Sequence, residues 1–340
     1  MRDDVARLHD RRVNCLRKSA CRYGAAGFHL VKKKMTFNRR KLIRSLTALV
    51  GCAATPPTFS FPRSFAGGES AGSDYHGYAL KNFIVDNCYA HLVRPDQPLA
   101  GNLWVWRTMF WDQFPGVDLA LLKAGFHLAF INVGNTFGCP DAMKHFDAFY
   151  TTMTSEYGLS HKPALEGLSR GGLYAYRWAY VNTDKVGCIY GDAPVCDMKS
   201  WPGRKGKGKG RGDAASWQEA ICDYHFSGEV EMMAFKGNPI DTLAPIARAH
   251  IPILHVCGDA DNVVPKDENT DIVRSRYMAT GGSFTLIVKE GCGHHPHGLA
   301  NSKPIVDFIV ANCGHGKAAK DARSQAPKPG SITMLASGQW

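Results

Sequence analysis

Apolar runs and amphipathic segments alternate along the middle of the chain. Strand-like apolar runs occupy residues 83–93 (with an interrupting turn), 103–107, 126–133, 163–165, 186–190, 253–257 and 284–289. Helical patterns occupy residues 117–124, 141–157, 172–180, 240–249, 267–279 and 303–312. In these patterns apolar side chains recur every three or four positions. The repeated strand-then-helix order predicts an α/β protein, with a mostly parallel central sheet and helices on both faces.

The N-terminal part of the chain has a different pattern. Residues 1–34 are basic with no apolar period, and we interpret them as a non-native or disordered extension preceding a start at Met35. Paired arginines and a short apolar run then predict a signal peptide of twin-arginine type over residues 35–66. Cleavage would follow a small-x-small site at residues 64–66, unless a lipobox-like run leads to lipidation and membrane anchoring at Cys52.

These features predict export to the periplasm or beyond. The alternative is a cytoplasmic protein with an apolar N-terminal helix. After a linker at residues 67–79, the folded domain is predicted at 80–313, with a cap insertion at 195–239. Residues 314–340 are polar and rich in Gly, Pro and Lys, and are predicted to be disordered.

Charge and cysteine content narrow the function classes. The formal net charge of +11 is concentrated in residues 1–50 and 203–212, which argues against a nucleic-acid partner. In residues 203–212 bases alternate with glycines, a pattern typical of a solvated loop; contact with a polyanion is the alternative. The eleven cysteines show no C-x-x-C spacing, so a zinc module is not predicted.

Residues 167–171, Gly-Leu-Ser-Arg-Gly, match the G-x-S-x-G pattern of a nucleophile elbow. A short strand precedes the match and an apolar helix follows it, so Ser169 is the candidate nucleophile. A second match surrounds Ser70, but it lies in a Gly/Ser-rich run that reads as a linker. The alternative for Ser169 is a plain helix-capping serine.

A serine nucleophile needs a base, and the base needs an orienting carboxylate. Two later strands run into polar motifs, Gly-Asp-Ala-Asp-Asn-Val-Val-Pro at 258–265 and Gly-Cys-Gly-His-His-Pro-His at 291–297. In this order the motifs resemble the α/β-hydrolase superfamily, near its esterase and prolyl-oligopeptidase-like members. The resemblance covers roughly residues 80–313 and implies the α/β-hydrolase fold. It also implies Asp261 as the acid and His294 as the base.

Several assignments keep alternatives. Asp192 also ends a predicted strand and is the second position for the acid, whereas Asp259 suits a structural turn. His295 and His297 are packing neighbours of the base, or form a metal site with His294. We predict no metal and no cofactor.

The remaining candidates surround the serine. The backbone N–H groups of Arg170 and of Thr108, or the neighbour of Thr108, are the predicted oxyanion donors. Arg107 either points into the site to bind a polar or anionic substrate group, or pairs with a helix end. Trp111 is the aromatic residue predicted to edge the pocket, and Trp201, in the cap insertion, is predicted to help form the roof of the pocket.

The sequence therefore predicts an exported serine hydrolase that cleaves carboxylic esters. A small-molecule or carbohydrate ester, such as an acylated polysaccharide fragment, is the expected substrate. A serine peptidase of prolyl-oligopeptidase type is one alternative. A non-catalytic carbohydrate-binding protein on the same fold is another.

Overall fold

The protein is described by a computed structural model that covers residues 73–207, 210–314 and 316–340. The predicted N-terminal extension, the signal peptide with Cys52, and the first part of the linker with Ser70 lie outside the described residues.

Ten strands and nine helices are found in the described ranges. The strands are β1 (Ser73–Tyr75), β2 (Tyr78–Val85), β3 (Cys88–Arg94), β4 (Trp104–Arg107), β5 (His127–Ile131), β6 (Ala164–Leu168), β7 (Cys188–Asp192), β8 (Ile253–Gly258), β9 (Phe284–Lys289) and β10 (Ile332–Leu335). The helices are α1 (Gly116–Lys123), α2 (Pro140–Ser155), α3 (Gly171–Val181), α4 (Ala214–Asp223), α5 (Glu229–Ala234), α6 (Leu243–Arg248), α7 (Thr270–Ala279), α8 (Lys303–Cys313) and α9 (Gly316–Gln325).

All ten strands form one sheet in the order β1-β2-β3-β5-β4-β6-β7-β8-β9-β10. The pairs that involve β1, β2 and β3 are antiparallel, and every pair from β5 through β4 to β10 is parallel. The carboxyl ends of β4 to β9 therefore meet at one edge of the sheet, where ligands bind in open α/β folds.

The core lies in two layers, one on each face of the sheet. Helices α2 and α3 cover one face, where Phe146, Phe149 and Trp178 are buried. Helices α1 and α8 cover the other face with Leu121 and Ile309. The β5, β6, β8 and β9 strands are buried along their whole length, which explains their continuous apolar sequence.

The tail predicted to be disordered is folded, so that prediction is wrong. Helix α9 packs on α8 through the buried Ala319 and Ala322, and Arg323 Nε donates to the Ala311 carbonyl at 3.0 Å. Strand β10 pairs in parallel with β9, with Ile332 opposite Leu286. Backbone hydrogen bonds and small alanines anchor this segment, so it folds without the large apolar side chains that would have indicated a folded element in the sequence.

The folded domain includes residues before the predicted boundary at residue 80, because β1 begins at Ser73 within the predicted linker and pairs with β2. Within the described ranges, no helix is both long enough and apolar enough to cross a membrane. The eight cysteines of these ranges carry free thiols, and Sγ of Cys188 lies 3.5 Å from Sγ of Cys313.

Candidate active site

Ser169 lies in a strained turn between β6 and α3. Its φ of +49° is in the left-handed region that L residues rarely adopt, and its N–H donates to the Asp192 carbonyl at 2.8 Å. A Cβ on Gly172 would come within 2.6 Å of Pro194 Cβ, and one on Gly167 within 3.0 Å of the Gly171 backbone. Both glycines are therefore required by close backbone packing, as a nucleophile elbow demands.

The loops after β8 and β9 bring an acid and a base to this serine. Ser169 Oγ lies 2.9 Å from His294 Nε2, and His294 Nδ1 lies 2.7 Å from Asp261 Oδ2. The other carboxylate oxygen of Asp261 accepts hydrogen bonds from the N–H groups of Val263 and Val264, at 2.8 and 2.9 Å. These bonds fix the carboxylate so that Nδ1 of His294 carries the proton and Nε2 can accept the proton of the serine.

Asp192, the second position considered for the acid, contacts a different histidine. Its Oδ1 lies 2.7 Å from His297 Nδ1, while Oδ2 accepts from the Gly298 N–H at 2.8 Å and from the Tyr190 hydroxyl at 2.5 Å. Burial raises the pKa of Asp192, but the hydrogen bonds with His297 and Tyr190, together with electrostatic attraction from His297 and Lys289, outweigh burial, so the pKa of this carboxyl is lowered. Asp192 and His297 thus form a buried pair that anchors the loop carrying His294.

The pairing of His297 with Asp192 was not foreseen from the sequence. The histidine run at 294–297 carried the signal, but no local rule couples it to a residue 105 positions earlier.

Three histidines of this loop lie close together. One nitrogen each of His294, His295 and His297 can lie within 4.8 Å of the others, a spacing that a metal ion could bridge. A metal on His294 Nε2 would take that nitrogen away from Ser169, so it would compete with the triad. His295 is exposed and stacks on Phe114 at 5.3 Å, which fits the packing-neighbour interpretation.

The oxyanion donors are only partly those predicted. The Arg170 N–H lies at the N-terminus of α3 and donates to no acceptor among the described residues. The Thr108 N–H is already bonded to the Glu166 carbonyl at 3.0 Å, so the assignment of Thr108 is wrong. Its neighbour Met109 has a backbone N–H without an acceptor in the described ranges, close to Gly171. Arg170 and Met109 are therefore the candidate donor pair.

Arg107 does not reach the site, so its assignment to substrate binding is wrong. The side chain is fully buried and pairs with Asp118 in the first turn of α1 and, at 3.5 Å, with Glu166. It also donates to the backbone carbonyls of Phe110 and Gln113. Arg107 instead holds the loop after β4 in shape, which is the helix-pairing alternative considered from the sequence.

The two tryptophans predicted near the pocket have different surroundings. Trp111 stacks on His91 at 4.7 Å and lines a cavity of about 390 Å³, together with Met109, Phe110 and Phe130. Trp201, in the insertion between β7 and β8, lies 5.5 Å from the Arg170 guanidinium. Trp201 thus contacts the residue that follows the nucleophile, whereas Trp111 shares a cavity with the candidate oxyanion donor Met109.

Solved structures with this architecture include a puromycin hydrolase complexed with PGG, with a TM-score of 0.53 and 17% identity over 75% of this chain and 41% of its own. An acylaminoacyl peptidase of Pyrococcus horikoshii has a TM-score of 0.55 and 12% identity, over 72% of this chain and 44% of its own. A Mycobacterium tuberculosis puromycin-hydrolyzing peptidase has a TM-score of 0.53 and 13% identity, over 76% and 41%.

This chain thus spans less than half the length of each of these solved structures. No family model and no curated protein matches the chain. The likeness confirms the predicted α/β-hydrolase fold.

Proposed function

We propose that this protein is a serine hydrolase that cleaves an acyl bond through Ser169, His294 and Asp261. The observation that carries the proposal is the continuous hydrogen-bonded chain from Ser169 Oγ through His294 to Asp261, with distances of 2.9 and 2.7 Å. A binding protein on the same fold has no need of this chain, so the non-catalytic carbohydrate-binding alternative loses its support.

The geometry accounts for each step of the reaction. Ser169 Oγ attacks the carbonyl carbon while His294 Nε2 takes the hydroxyl proton, and the resulting oxyanion accepts from the Arg170 and Met109 N–H groups. His294 then gives its proton to the leaving atom as the carbonyl–leaving-group bond breaks. A water molecule, activated by the same histidine, hydrolyses the acyl-enzyme. Asp261 stabilises the imidazolium at both stages.

For the substrate, we propose first a short peptide or another amide of an amino acid. Structures that share the fold are named as a puromycin hydrolase and as an acylaminoacyl peptidase, which supports amide cleavage. Because each of those chains is more than twice as long as the matched part, their own substrates do not transfer directly.

The carboxylic ester expected from the sequence is the second candidate. The observation in its favour is the set of aromatic rings, Trp201, Phe110 and Phe137, around the side chain of the residue that follows the nucleophile, since aromatic surfaces suit flat sugar or acyl groups. The predicted signal peptide would export the enzyme, so that it would meet either class of substrate outside the cytoplasm. N-terminal sequencing of the secreted protein tests this expectation.

The function is tested with purified protein and matched p-nitroanilides and p-nitrophenyl esters of the same acyl groups. Turnover should fall by roughly 10⁴- to 10⁶-fold in Ser169→Ala and stay unchanged in Ser155→Ala, which alters an exposed serine at the end of α2. A fluorophosphonate should label the wild type and not Ser169→Ala. A Ser169→Ala protein that retains turnover refutes the proposal, and the anilide-to-ester ratio of the wild type decides between the two substrate classes.

A further inference from the structure

The side chain of Arg170 is held by three aromatic rings. Its guanidinium carbon lies 5.3 Å from the centre of Phe110, 5.5 Å from Trp201 and 5.7 Å from Phe137. These are cation–π distances, and the three rings come from three separate segments of the chain. The cage therefore orients the guanidinium of the residue that directly follows the nucleophile and whose N–H is a candidate oxyanion donor.

The charge inside this cage has no anionic partner in the described part of the chain. No carboxylate there lies within ion-pair distance of Arg170, and its Nε is buried without an acceptor. The carboxylates that attract it from farther away, Glu219 and Asp213, accept hydrogen bonds from Asn135 and from the Ser216 N–H. Aromatic faces cover the planes of a guanidinium but do not satisfy the N–H donors along its edge.

Burial adds a desolvation cost to the lack of an anionic partner for Arg170 among the described residues. Burial lowers the pKa of Arg170, against the attraction of the surrounding negative groups. An unpaired, half-buried cation of this kind is stabilised when an anion binds to its free edge. Carboxylates suit the guanidinium best because they accept two parallel hydrogen bonds.

The position of the cage indicates which part of a substrate would meet it. Two of the three rings, Phe110 after β4 and Phe137 after β5, lie on the side of β6 that carries the oxyanion donor Met109, whereas Trp201 follows β7. His294 follows β9, on the opposite side of β6. Because His294 protonates the leaving group, the leaving group extends toward β9 and the acyl part extends toward the cage.

We propose that Arg170 is a specificity-determining residue, and that its caged guanidinium selects substrates whose acyl part carries a carboxylate. The inference rests on the proposed serine hydrolase function and adds the chemical class of the acyl group. It applies equally to an acidic residue before a scissile peptide bond and to a half-ester of a dicarboxylic acid.

The test uses two activated esters that any serine hydrolase can acylate, p-nitrophenyl hydrogen adipate and p-nitrophenyl methyl adipate. They differ only in a terminal carboxylate. The wild type should favour the anionic ester in kcat/KM, and Arg170→Met should lower this preference by roughly 10- to 100-fold. Arg170→Lys should keep part of it. The matched control, Arg177→Met, alters an arginine farther along α3 and should leave the preference unchanged.

The preference is a ratio, so a general loss of oxyanion stabilisation in the variants cancels. Raising the salt from about 0.01 M to about 1 M should also reduce the preference of the wild type, because the ions screen the attraction. If the thermal melt shows that Arg170→Met does not fold, the salt dependence of the wild type tests the inference instead.

A wild type with no preference, or a preference that Arg170→Met leaves intact, overturns the inference alone. If Ser169→Ala still hydrolyses both esters, the proposed function itself fails. The two failures are therefore distinguishable in one experiment.

Discussion

Asp192 and His297 form a second aspartate–histidine pair, 2.7 Å apart, beside the pair of Asp261 and His294. Asp192 is completely buried and His297 nearly so. The two histidines belong to the same loop but contribute differently, since only His294 reaches the nucleophile. The position that could have supplied the catalytic acid supplies a structural anchor instead.

The two acids should respond differently to the same substitution. Asp261→Asn should lower kcat by roughly 10⁴-fold at unchanged stability, because the histidine loses the carboxylate that fixes its tautomer. Asp192→Asn should instead lower the melting temperature, because it weakens a buried network, with a much smaller loss of kcat. Thermal melts and kcat measured on both variants test this. A folded but inactive Asp192→Asn beside an active Asp261→Asn would reverse the assignment.

Substitutions of His294 and His295 should also differ in their effect on activity. His294→Ala should be as damaging as Ser169→Ala, whereas His295→Ala should stay within a few fold of the wild type, because His295 is exposed and contacts Phe114. Treatment with a chelator should leave kcat unchanged, since the proposed mechanism uses no metal. Loss of activity on chelation, restored by zinc, would instead point to a metal bound by the three histidines.

Arg107 should matter for stability and not for substrate binding. Arg107→Gln leaves the buried carboxyls of Asp118 and Glu166 without their cation, and should cost about 3–5 kcal/mol of unfolding free energy. KM of the fraction that remains folded should change little. Arg94→Gln, at an exposed site at the end of β3, is the control. Denaturant unfolding gives the first quantity, and a stable Arg107→Gln with a raised KM would restore the substrate-binding interpretation.

His255 should make stability depend on pH. It is fully buried in β8, 2.7 Å from the Tyr176 hydroxyl, and desolvation lowers its pKa from 6.5 to about 3. A depressed pKa gives stability that is complete above pH 6.5 and is lost as the pH falls toward 3. Between pH 7 and pH 5 the loss should reach about 2 kcal/mol.

The comparison with His255→Gln isolates this contribution, because glutamine keeps polar contacts and does not titrate. Unfolding free energies of both proteins at several pH values are the measurement. An unchanged pH slope in His255→Gln would exclude the buried histidine as its cause.

The sequence alone was sufficient for the α/β-hydrolase fold and for the elements that present the catalytic residues. Continuous apolar runs and helical periodicity depend on the local sequence, so the succession of strands β4 to β9 along the chain could be predicted from the sequence. The candidate triad could be found for a related reason. Ser169, Asp261 and His294 each lie in a short motif whose glycines and turns follow from local backbone geometry.

Tertiary structure decided every feature that depends on which distant groups meet. Thr108 is not an oxyanion donor because its N–H is bonded to the Glu166 carbonyl on the adjacent strand. Met109 is the candidate donor instead. The tail folds because β9 offers an unpaired edge to β10. Partner choice among buried polar groups is a long-range property, since desolvation makes each group pair with the nearest suitable atom, whatever its distance along the chain.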